Sequence, residues 1–488
     1  MIKFNVDDKR TLPKCYINIG ALLDIPTSSI ITGLKGESII NGGLGPITAV
    51  VGPGNNMKSL VTHYMMLSAA DKVFNSHETA ICTYDSENNV SIDRLEELSN
   101  GFEHLPKNMI TDTGHWFVTD KSVQLGDVWD EKVLKPYIAE KKKDKDSKCK
   151  YGPFRDPYSK QELEMLVPSF VEIDSMSEFE GTSSNDMLAK NLDGSDTNTF
   201  AMKQGLFKTK FLQGIPSMAI GSNTYFLVTA QLGEKVDMRT GPAMYQQPLK
   251  VLQYLKSGEH IKGVSSKFYF LTHNAWYLHT AKDLVNDNTK LPEYPLDTDQ
   301  QKTDLKVMTL TQLRGKNGPS GFTTQLVISQ DKGVLPSLTE FHYIKENKRF
   351  GIDGTLQSYH LDLYPEVSLS RTTVRTKLDN DFKLRRAVNI TAELHQLGIY
   401  HDVYKAIGLI CSPKDLYEDI KKMGYDWNTL LNTRGYWTLD QYDNKLPYLS
   451  TIDLLNMRVG KYHPYWLEDD KKTLKKKYQT ENKNAKSK

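Results

Sequence analysis

The sequence lacks several features that would place it in a specialised class of protein. Its 488 residues contain only four cysteines, Cys15, Cys82, Cys149 and Cys411, which lie far apart and form no C-x-x-C pair. This spacing argues against a zinc site or a disulfide framework and indicates a reducing compartment. No run approaches the roughly 18 apolar residues of a membrane span, and the N-terminus has no apolar signal segment. We therefore expect a cytoplasmic protein with no membrane partner.

A strong charge of either sign is also absent. The chain has 62 basic and 60 acidic residues, which leave a formal net charge of +2 at pH 7. Any affinity for nucleic acid must therefore come from local basic patches and not from a global field. Hydrophobic residues at 39% and charged residues at 25% are ordinary proportions for a globular protein, and the length predicts two to three domains.

The most informative segment that is present runs from residue 46 to residue 60. An apolar strand at 46–51 leads into a glycine-containing loop, and Lys58 and Ser59 open an apolar helix. This order predicts a phosphate-binding loop, in which backbone N–H groups surround an anion, the lysine reaches the β- and γ-phosphates and the serine hydroxyl holds Mg²⁺. Met57 occupies the position of the last glycine in the pattern G-x-x-x-x-G-K-[ST]. The predicted nucleotide-binding residues are Gly52, Pro53, Gly54, Asn55, Asn56, Met57, Lys58, Ser59 and Leu60.

The remainder of the chain divides by its periodicity. From 46 to about 335, apolar strand-like runs alternate with helical stretches, which predicts a parallel sheet covered by helices. The predicted strands are 46–51, 79–84, 116–118, 169–173, 225–229 and 267–271, followed by a hairpin of 305–313 and 323–329. Helical patterns such as 380–398 and 413–423 dominate beyond about 345. We predict a lead-in or oligomerisation segment at 1–45, an α/β nucleotide-binding core at 46–344, a mostly helical region at 345–470 and a basic, disordered tail at 471–488.

Three predicted strands end in groups that a nucleotide hydrolase needs. Asp174 follows the fourth strand and is expected to complete a magnesium site with Ser59. Glu87 follows the second strand and is predicted to position the attacking water. Gln231 follows the fifth strand and is predicted to sense the γ-phosphate. Each has a plainer alternative: a capping aspartate, a surface glutamate and an ordinary strand-end amide.

Arg314 and Lys316 stand in the turn of the late hairpin, within the segment 314–321. A pair of cations beside an Asn-Gly-Pro turn is either a solvated loop tip or a pair of fingers that complete the active site of a neighbouring copy. The order of the motifs along the chain favours the second interpretation.

The motifs together resemble a known family. The phosphate-binding loop, Tyr84-Asp85-Ser86-Glu87, Glu172-Ile173-Asp174-Ser175 and Thr229-Ala230-Gln231 are similar in order and spacing to the RecA-like ATPase core, over about residues 35–335. Within it, the phage UvsX-type recombinases also carry a bulky residue in place of the last loop glycine. The resemblance implies a RecA-like P-loop NTPase core that uses ATP and Mg²⁺. It also implies a DNA-dependent ATPase of bacteriophage origin that assembles on single-stranded DNA and promotes homologous pairing and strand exchange.

The same resemblance places a DNA-contacting loop after Gln231. Its candidate contacts are Lys235, Met238, Arg239, Met244 and Tyr245, which offer cations for phosphates and side chains that stack on bases. A surface loop with incidental charges is the alternative. The loop at 181–200 falls at another DNA-contact position of the family, but it is not basic.

The turn at 314–321 is similar instead to that of DnaB-type replicative helicases, in which cations reach the nucleotide of the adjacent subunit in a ring. Only about 45 residues precede the core, too few for the helical N-terminal domain of those helicases. Three functions stay open: a recombinase, a ring-forming DNA helicase or translocase, and a RecA-fold regulatory ATPase acting through protein partners. The implied partners are single-stranded DNA, further copies of the chain, and recombination-mediator or replication proteins. Residues 370–377 and 434–466 either bind DNA or pack onto the core.

Overall fold

The computed structural model is an α/β protein with a mostly parallel central sheet, flanking helices and a largely helical C-terminal region. It describes residues 12–144, 146–182, 197–234, 259–262, 264, 267–297, 299–355 and 357–467. Within these ranges, no helix is long and apolar enough to cross a bilayer.

The strands are β1 (Ser29–Thr32), β2 (Ser38–Asn41), β3 (Ile47–Gly52), β4 (Ile81–Asp85), β5 (Trp116–Asp120), β6 (Lys148–Arg155), β7 (Glu162–Leu166), β8 (Ser169–Asp174), β9 (Thr224–Glu234), β10 (Glu259–Ile261), β11 (Asn274–Leu278), β12 (Lys282–Asp283), β13 (Leu305–Gly315), β14 (Thr323–Ser329), β15 (Gly333–Val334), β16 (Ile352–Thr355), β17 (Ser358–Leu361) and β18 (Tyr364–Leu369).

The α-helices are α1 (Lys58–Phe74), α2 (Ile92–Ser99), α3 (Gly126–Trp129), α4 (Lys135–Lys143), α5 (Thr197–Ser222), α6 (Lys267–Leu271), α7 (Pro336–Glu346), α8 (Val374–Asn380), α9 (Phe382–Tyr400), α10 (Asp402–Ala406), α11 (Pro413–Lys422), α12 (Trp427–Leu431) and α13 (Thr451–Arg458). Short 3₁₀ turns occur at Ile25–Thr27, Met176–Glu178 and Gln441–Asp443, and a π-helical segment occurs at Asp130–Leu134.

The central sheet has the strand order β15-β14-β13-β11-β3-β9-β8-β4-β5. The strands from β11 to β5 run parallel to one another, and β13, β14 and β15 extend the sheet in antiparallel fashion. Every residue of β3 and β8 is buried, as expected for parallel strands that are covered on both faces. The register places Gly52 of β3 opposite Gln231 of β9, and Asp85 of β4 opposite Asp174 of β8. Four candidate strand ends therefore meet at the carboxyl edge of the sheet.

Two apolar layers cover the sheet. On one face, Val61 and Met65 of α1 belong to the same buried cluster as Phe170 of β8. On the other face, Phe211 and Ile215 of α5 share a cluster with strand residues such as Val171 and Phe226. Successive side chains of each strand therefore pack into different cores, one with α1 and one with α5. This packing fixes the position of each strand end relative to the two helices.

The structure confirms most of the predicted strands, but the strand predicted at 267–271 is wrong. That segment is helix α6, and the strand is the next apolar run, β11 (Asn274–Leu278). The two runs, Lys-Phe-Tyr-Phe-Leu and Asn-Ala-Trp-Tyr-Leu, have the same aromatic and apolar character, so the pattern alone does not separate them. Pairing decides between them, since β11 bonds β3 on one side and β13 on the other. The hairpins β1–β2 and β6–β7 were not predicted.

The two ends of the described chain pack onto the central unit. Ile17 and Leu23 of the N-terminal segment lie in the cluster that holds α1 to the sheet. The C-terminal region contains the sheet β16–β18 and the helices from α8 to α13. Helix α7 runs across position 344, and its Phe341 shares an apolar cluster with Leu394 of α9. The boundary between 344 and 345 stays a prediction, and the tail at 471–488 lies outside the described residues.

Candidate nucleotide-binding site

A pocket of ≈ 600 Å³ opens at the carboxyl edge of the sheet. Its volume lies within the range of small-molecule sites. The sequence-predicted residues that line it are Gly54, Asn55, Asn56, Met57, Lys58, Ser59, Leu60, Glu87, Asp174 and Gln231. Gly52 and Pro53 lead into the loop directly before these residues. The wall on the α2 side is formed by residues that were not predicted, among them Val90, Arg94, Leu95 and Leu98.

The loop between β3 and α1 has a left-handed residue at the position where the phosphate-binding pattern has its last glycine. Met57, at φ 52° and ψ 24°, is in the left-handed region directly before the first helical residue. Glycine adopts this conformation freely, whereas another residue type pays a backbone cost of about 1–2 kcal/mol. The Met57 side chain is partly buried against the α1 core cluster, which offsets part of that cost. Met57 therefore adopts a backbone conformation that glycine would adopt at lower cost.

Two further contacts fix the loop. A Cβ atom on Gly52 would lie 2.9 Å from the Leu278 carbonyl oxygen, so the strand end approaches β11 too closely for a side chain. The Asn56 amide nitrogen donates to the carbonyl oxygens of Leu278 at 3.1 Å and His279 at 2.8 Å, and its oxygen accepts from the Ala281 N–H at 3.2 Å. The loop is therefore tied to the adjacent strand at both ends.

Lys58 is folded back into the loop. Its Nζ donates to the Pro53 carbonyl oxygen at 2.6 Å, and only 8% of the residue is exposed. Burial lowers the pKa of Lys58, while the nearby Asp174 and Glu87 carboxylates act in the opposite direction. The lysine thus faces the two acidic groups that were predicted to share its site.

Asp174 receives two hydroxyl groups. Ser59 Oγ donates to one carboxylate oxygen and Thr229 Oγ1 donates to the other. Burial raises the pKa of Asp174, and the charge of Glu172 raises it further. Ser59 and Asp174 together present oxygen ligands of the kind that Mg²⁺ prefers. Both residues line the pocket beside Lys58, so the donor set fits a magnesium ion bound together with a phosphate chain.

Glu87 and Gln231 touch each other. Gln231 Nε2 donates to Glu87 Oε1 at 3.0 Å, and the Ser175 hydroxyl donates to the same oxygen at 2.8 Å. Asp85 shapes the turn that carries Glu87, because its carboxylate accepts the backbone N–H groups of Glu87 at 2.8 Å and Asn89 at 2.7 Å. The structure therefore brings Glu87 and Gln231 to the same side of the pocket as Asp174.

The sequence analysis missed a buried polar pair below this site. His63 Nε2 lies 3.2 Å from Glu172 Oε2, and Glu172 is fully buried. Burial by itself would lower the pKa of His63, but the charge of Glu172 raises it above the usual value. The spacing of these residues could have predicted the pair. His63 lies one helical turn after Ser59, and Glu172 lies two residues before Asp174, so each shares a face with a residue of the Ser59–Asp174 contact.

Arg314 and Lys316 do not line the pocket. Gly315, which lies between them, pairs with Asn274, and Asn274 pairs with Thr48 near the start of β3. The cations are therefore at the amino edge of the parallel strands. Gly52 lies four residues after Thr48 on β3, or about 13 Å along the strand. Neither cation is placed to serve the pocket of its own chain.

The DNA-contact residues predicted from the resemblance lie outside the described residues; these are Lys235, Met238, Arg239, Met244 and Tyr245. Their role stays a prediction.

Several basic residues of the C-terminal region are engaged within the fold. Arg375 forms a bidentate pair with Asp304, both bonds being 2.8 Å, and Lys377 Nζ donates to the Ser368 carbonyl oxygen. Arg434 is buried and donates to backbone carbonyl oxygens of its own region. These contacts favour the packing interpretation of 370–377 and 434–466 over the DNA-binding one.

No protein-family model matches this chain, and no curated protein matches it. Solved structures do match, among them the crystal structure of the RadB recombinase, with 16% sequence identity and a TM-score of 0.32. The similarity covers 61% of this chain and 93% of that chain. Because this similarity is too low to assign a role to any residue, the chemistry of the site is inferred from its own geometry.

Proposed function

We propose that this protein is a Mg²⁺-dependent ATPase of the RecA-like type that assembles on single-stranded DNA and promotes homologous pairing and strand exchange. The observation that carries the proposal is the convergence of Lys58, the Ser59–Asp174 contact and the Glu87–Gln231 contact in one pocket. These are the groups that hydrolysis of a nucleoside triphosphate requires: a phosphate cradle, a metal-holding pair and a carboxylate for water.

Each residue has a role that follows from its surroundings. The loop amides and Lys58 hold the phosphates, and Lys58 exchanges its bond to the Pro53 carbonyl for the phosphate oxygens. Ser59 and Asp174 hold Mg²⁺, which would neutralise charge that develops on the phosphate oxygens. Glu87 accepts a hydrogen bond from the attacking water and so orients it.

Gln231 is proposed as the residue that links the nucleotide to DNA. Its amide nitrogen donates a hydrogen bond to one carboxylate oxygen of Glu87. If the amide donated to the γ-phosphate instead, that carboxylate oxygen could accept a hydrogen bond from the attacking water. Strand β9, which carries Gln231, continues to Glu234 and pairs with β10. This pairing keeps residues 234 and 259, which flank the segment 235–258, near the pocket. The predicted DNA contacts lie in that segment.

A ring-forming, DnaB-like helicase is the second candidate. The observation that favours it is the position of Arg314 and Lys316 at the amino edge, remote from their own pocket, where they are available to an adjacent subunit. The same position also suits a filament. In either assembly the two cations act in trans.

The test is ATP hydrolysis by the full chain with and without single-stranded DNA, combined with electron microscopy of both samples. We expect hydrolysis to be stimulated by single-stranded DNA and filaments to form on it. A closed ring that unwinds a forked duplex would replace the recombinase proposal with the helicase. Hydrolysis that does not respond to DNA would favour a regulatory ATPase, and the absence of ATP binding would remove all three.

A further inference from the structure

Strand β8 contains a carboxylate where its neighbours on the strand have apolar side chains. Glu172 is fully buried between β4 and β9, and the residues around it are Phe170, Val171 and Ile173. Burying a charged group costs free energy unless the group is paired, and well-packed apolar residues often stabilise a core equally well or better. The stability of the sheet therefore does not account for a glutamate at this position.

The Glu172 carboxylate is held by groups on α1 and on β4. Its Oε2 lies 3.2 Å from His63 Nε2 and accepts a hydrogen bond from Thr83 Oγ1 at 3.1 Å. Thr83 Oγ1 in turn accepts from the Trp116 indole N–H at 2.9 Å, and the Trp116 ring lies edge-on to the His63 ring. The His63 contact is an ion pair by distance, without the angles of a directed hydrogen bond. All four side chains are buried, so the carboxylate has little freedom to move.

The same helix and strand carry the proposed magnesium ligands. His63 lies one turn after Ser59 on α1, and Glu172 lies two residues before Asp174 on β8. The His63–Glu172 pair therefore joins the two elements one layer below the Ser59–Asp174 contact. A single contact leaves a helix free to tilt about it, whereas two contacts at different depths also restrain the tilt. The pair thus restrains the spacing of the two ligand side chains.

Divalent cations differ in how strongly they depend on such restraint. Mg²⁺ requires near-octahedral oxygen ligands at about 2.0–2.1 Å, whereas Ca²⁺ accepts flexible arrangements of ligands at about 2.3–2.6 Å. A change in the spacing of Ser59 and Asp174 should therefore weaken the binding of Mg²⁺ more than that of Ca²⁺. Residues that orient metal ligands without binding the metal typically contribute about ten- to a hundredfold in metal affinity.

We propose that His63 and Glu172 are positioning residues that fix the spacing of Ser59 and Asp174 and make the pocket favour Mg²⁺ over larger divalent cations. This inference rests on the proposed ATPase function and deepens it, because it assigns ion selectivity to residues that act through the metal ligands. A buried ion pair favours one relative position of helix and strand, whereas apolar side chains of similar volume specify that position less sharply.

The first experiment measures binding of a non-hydrolysable ATP analogue to the full chain by calorimetry, in Mg²⁺, in Ca²⁺ and in EDTA. His63→Leu should weaken binding about tenfold in Mg²⁺ and leave binding in EDTA unchanged. In Ca²⁺ the loss should be less than about threefold. His63→Gln, which places an amide nitrogen where Nε2 lies and still donates to Glu172, should keep most of the affinity in Mg²⁺. Wild-type affinity of His63→Leu in Mg²⁺, or an equal loss with the two ions, would overturn the inference.

His104→Leu is the matched control. His104 Nδ1 lies 3.3 Å from Asp71 Oδ2 near the other end of α1, so this variant removes a similar histidine–carboxylate pair from the same helix. Neither residue lines the pocket, and binding in all three conditions should match the wild type. If His104→Leu changed the ion preference as His63→Leu does, general loosening of α1 would explain the result and the inference would fail.

A double variant separates positioning from stability. His63→Leu leaves the Glu172 carboxylate buried without its ion-pair partner, which lowers stability. His63→Leu combined with Glu172→Leu removes both charged groups, so thermal unfolding should be close to that of the wild type while the preference for Mg²⁺ stays reduced. A wild-type preference in the double variant would mean that the pair only neutralises its own charges, and would overturn the inference. If the wild type binds the analogue in none of the three conditions, the proposed function itself fails, an outcome distinct from an unchanged ion preference.

Discussion

The two edges of the central sheet differ in how their charged groups are satisfied. At the carboxyl edge Lys58 bonds the Pro53 carbonyl, Asp174 accepts two hydroxyl groups, and Glu87 accepts an amide and a hydroxyl. At the amino edge, the described residues provide no such partner for His273 or for Arg314 Nε. A site with its own partners is organised before its ligand arrives, which is what catalysis demands. The cations of this edge, Arg314 and Lys316, are the groups for which we propose a role at a neighbouring copy.

Arg314→Ala should have the greatest effect of the substitutions considered if the amino edge acts on a neighbouring copy, and little effect if that edge is only a solvated surface. We expect turnover of the assembled protein to fall by about 10³-fold, the lower end of what an arginine finger contributes. Nucleotide binding by an isolated protomer should be unchanged. Lys306→Ala, on the same strand but paired with Asp283 at its far end, is the matched control. Stimulated turnover that survives in Arg314→Ala would rule out the trans-acting role.

The next effect tests the carboxyl edge. Glu87→Gln should reduce turnover about 10²- to 10³-fold, because the amide cannot take up the developing charge of the attacking water. ATP affinity should change little, since Lys58 and the loop amides are intact. Glu103→Gln removes an exposed carboxylate outside the pocket and serves as the control. Steady-state kinetics and analogue binding separate the two quantities; equal turnover in the two variants would reassign Glu87 to a structural role.

The third prediction concerns the pH dependence of the free energy of unfolding, which depends on a buried carboxyl group on helix α7. Burial raises the pKa of Glu340 to about 8, with Glu393 and Asp24 acting in the same direction. The folded protein therefore holds a proton that the unfolded chain loses near pH 4.5, so stability falls as the pH rises from there through about 8.

Glu340→Gln should flatten that fall by up to about 1.4 kcal/mol per pH unit within the window. Urea unfolding near both ends of the window measures the slope, and Glu346→Gln on the same helix is the exposed control. An unchanged slope in Glu340→Gln would mean that other buried carboxyls carry the pH dependence.

The smallest effect concerns the loop backbone. Because Met57 is left-handed in the folded protein, we assign its backbone cost to folding and not to nucleotide binding. Met57→Gly should therefore leave ATP affinity within about threefold, whereas Met57→Val, a β-branched residue at positive φ, should lose about 1–2 kcal/mol of stability. Calorimetric titration and thermal unfolding measure these changes. A large gain in affinity for Met57→Gly would show that the methionine obstructs the phosphates.

The sequence was sufficient for the parts of the fold that depend on neighbouring residues. The loop after β3 and the strand ends at Asp174, Glu87 and Gln231 follow from local pattern, because parallel strands bring their carboxyl ends together. The strand at β11 was misplaced because two equal apolar runs adjoin, and only pairing distinguishes them. The turn at 314–321 could not be associated with the N-terminal segment from sequence, since tertiary packing alone brings Gly318 against Pro26.

The N-terminal segment is bonded to residues far along the chain. The Trp437 indole N–H donates to the Tyr16 carbonyl oxygen at 3.0 Å, and the Tyr448 hydroxyl donates to the Ser38 carbonyl oxygen at 2.7 Å. At typical rates of translation, roughly 20–80 s pass between the synthesis of Tyr16 and that of Trp437. During that time the hairpin β1–β2 lacks these partners, so its residues reach their final packing only after the C-terminal region has emerged from the ribosome.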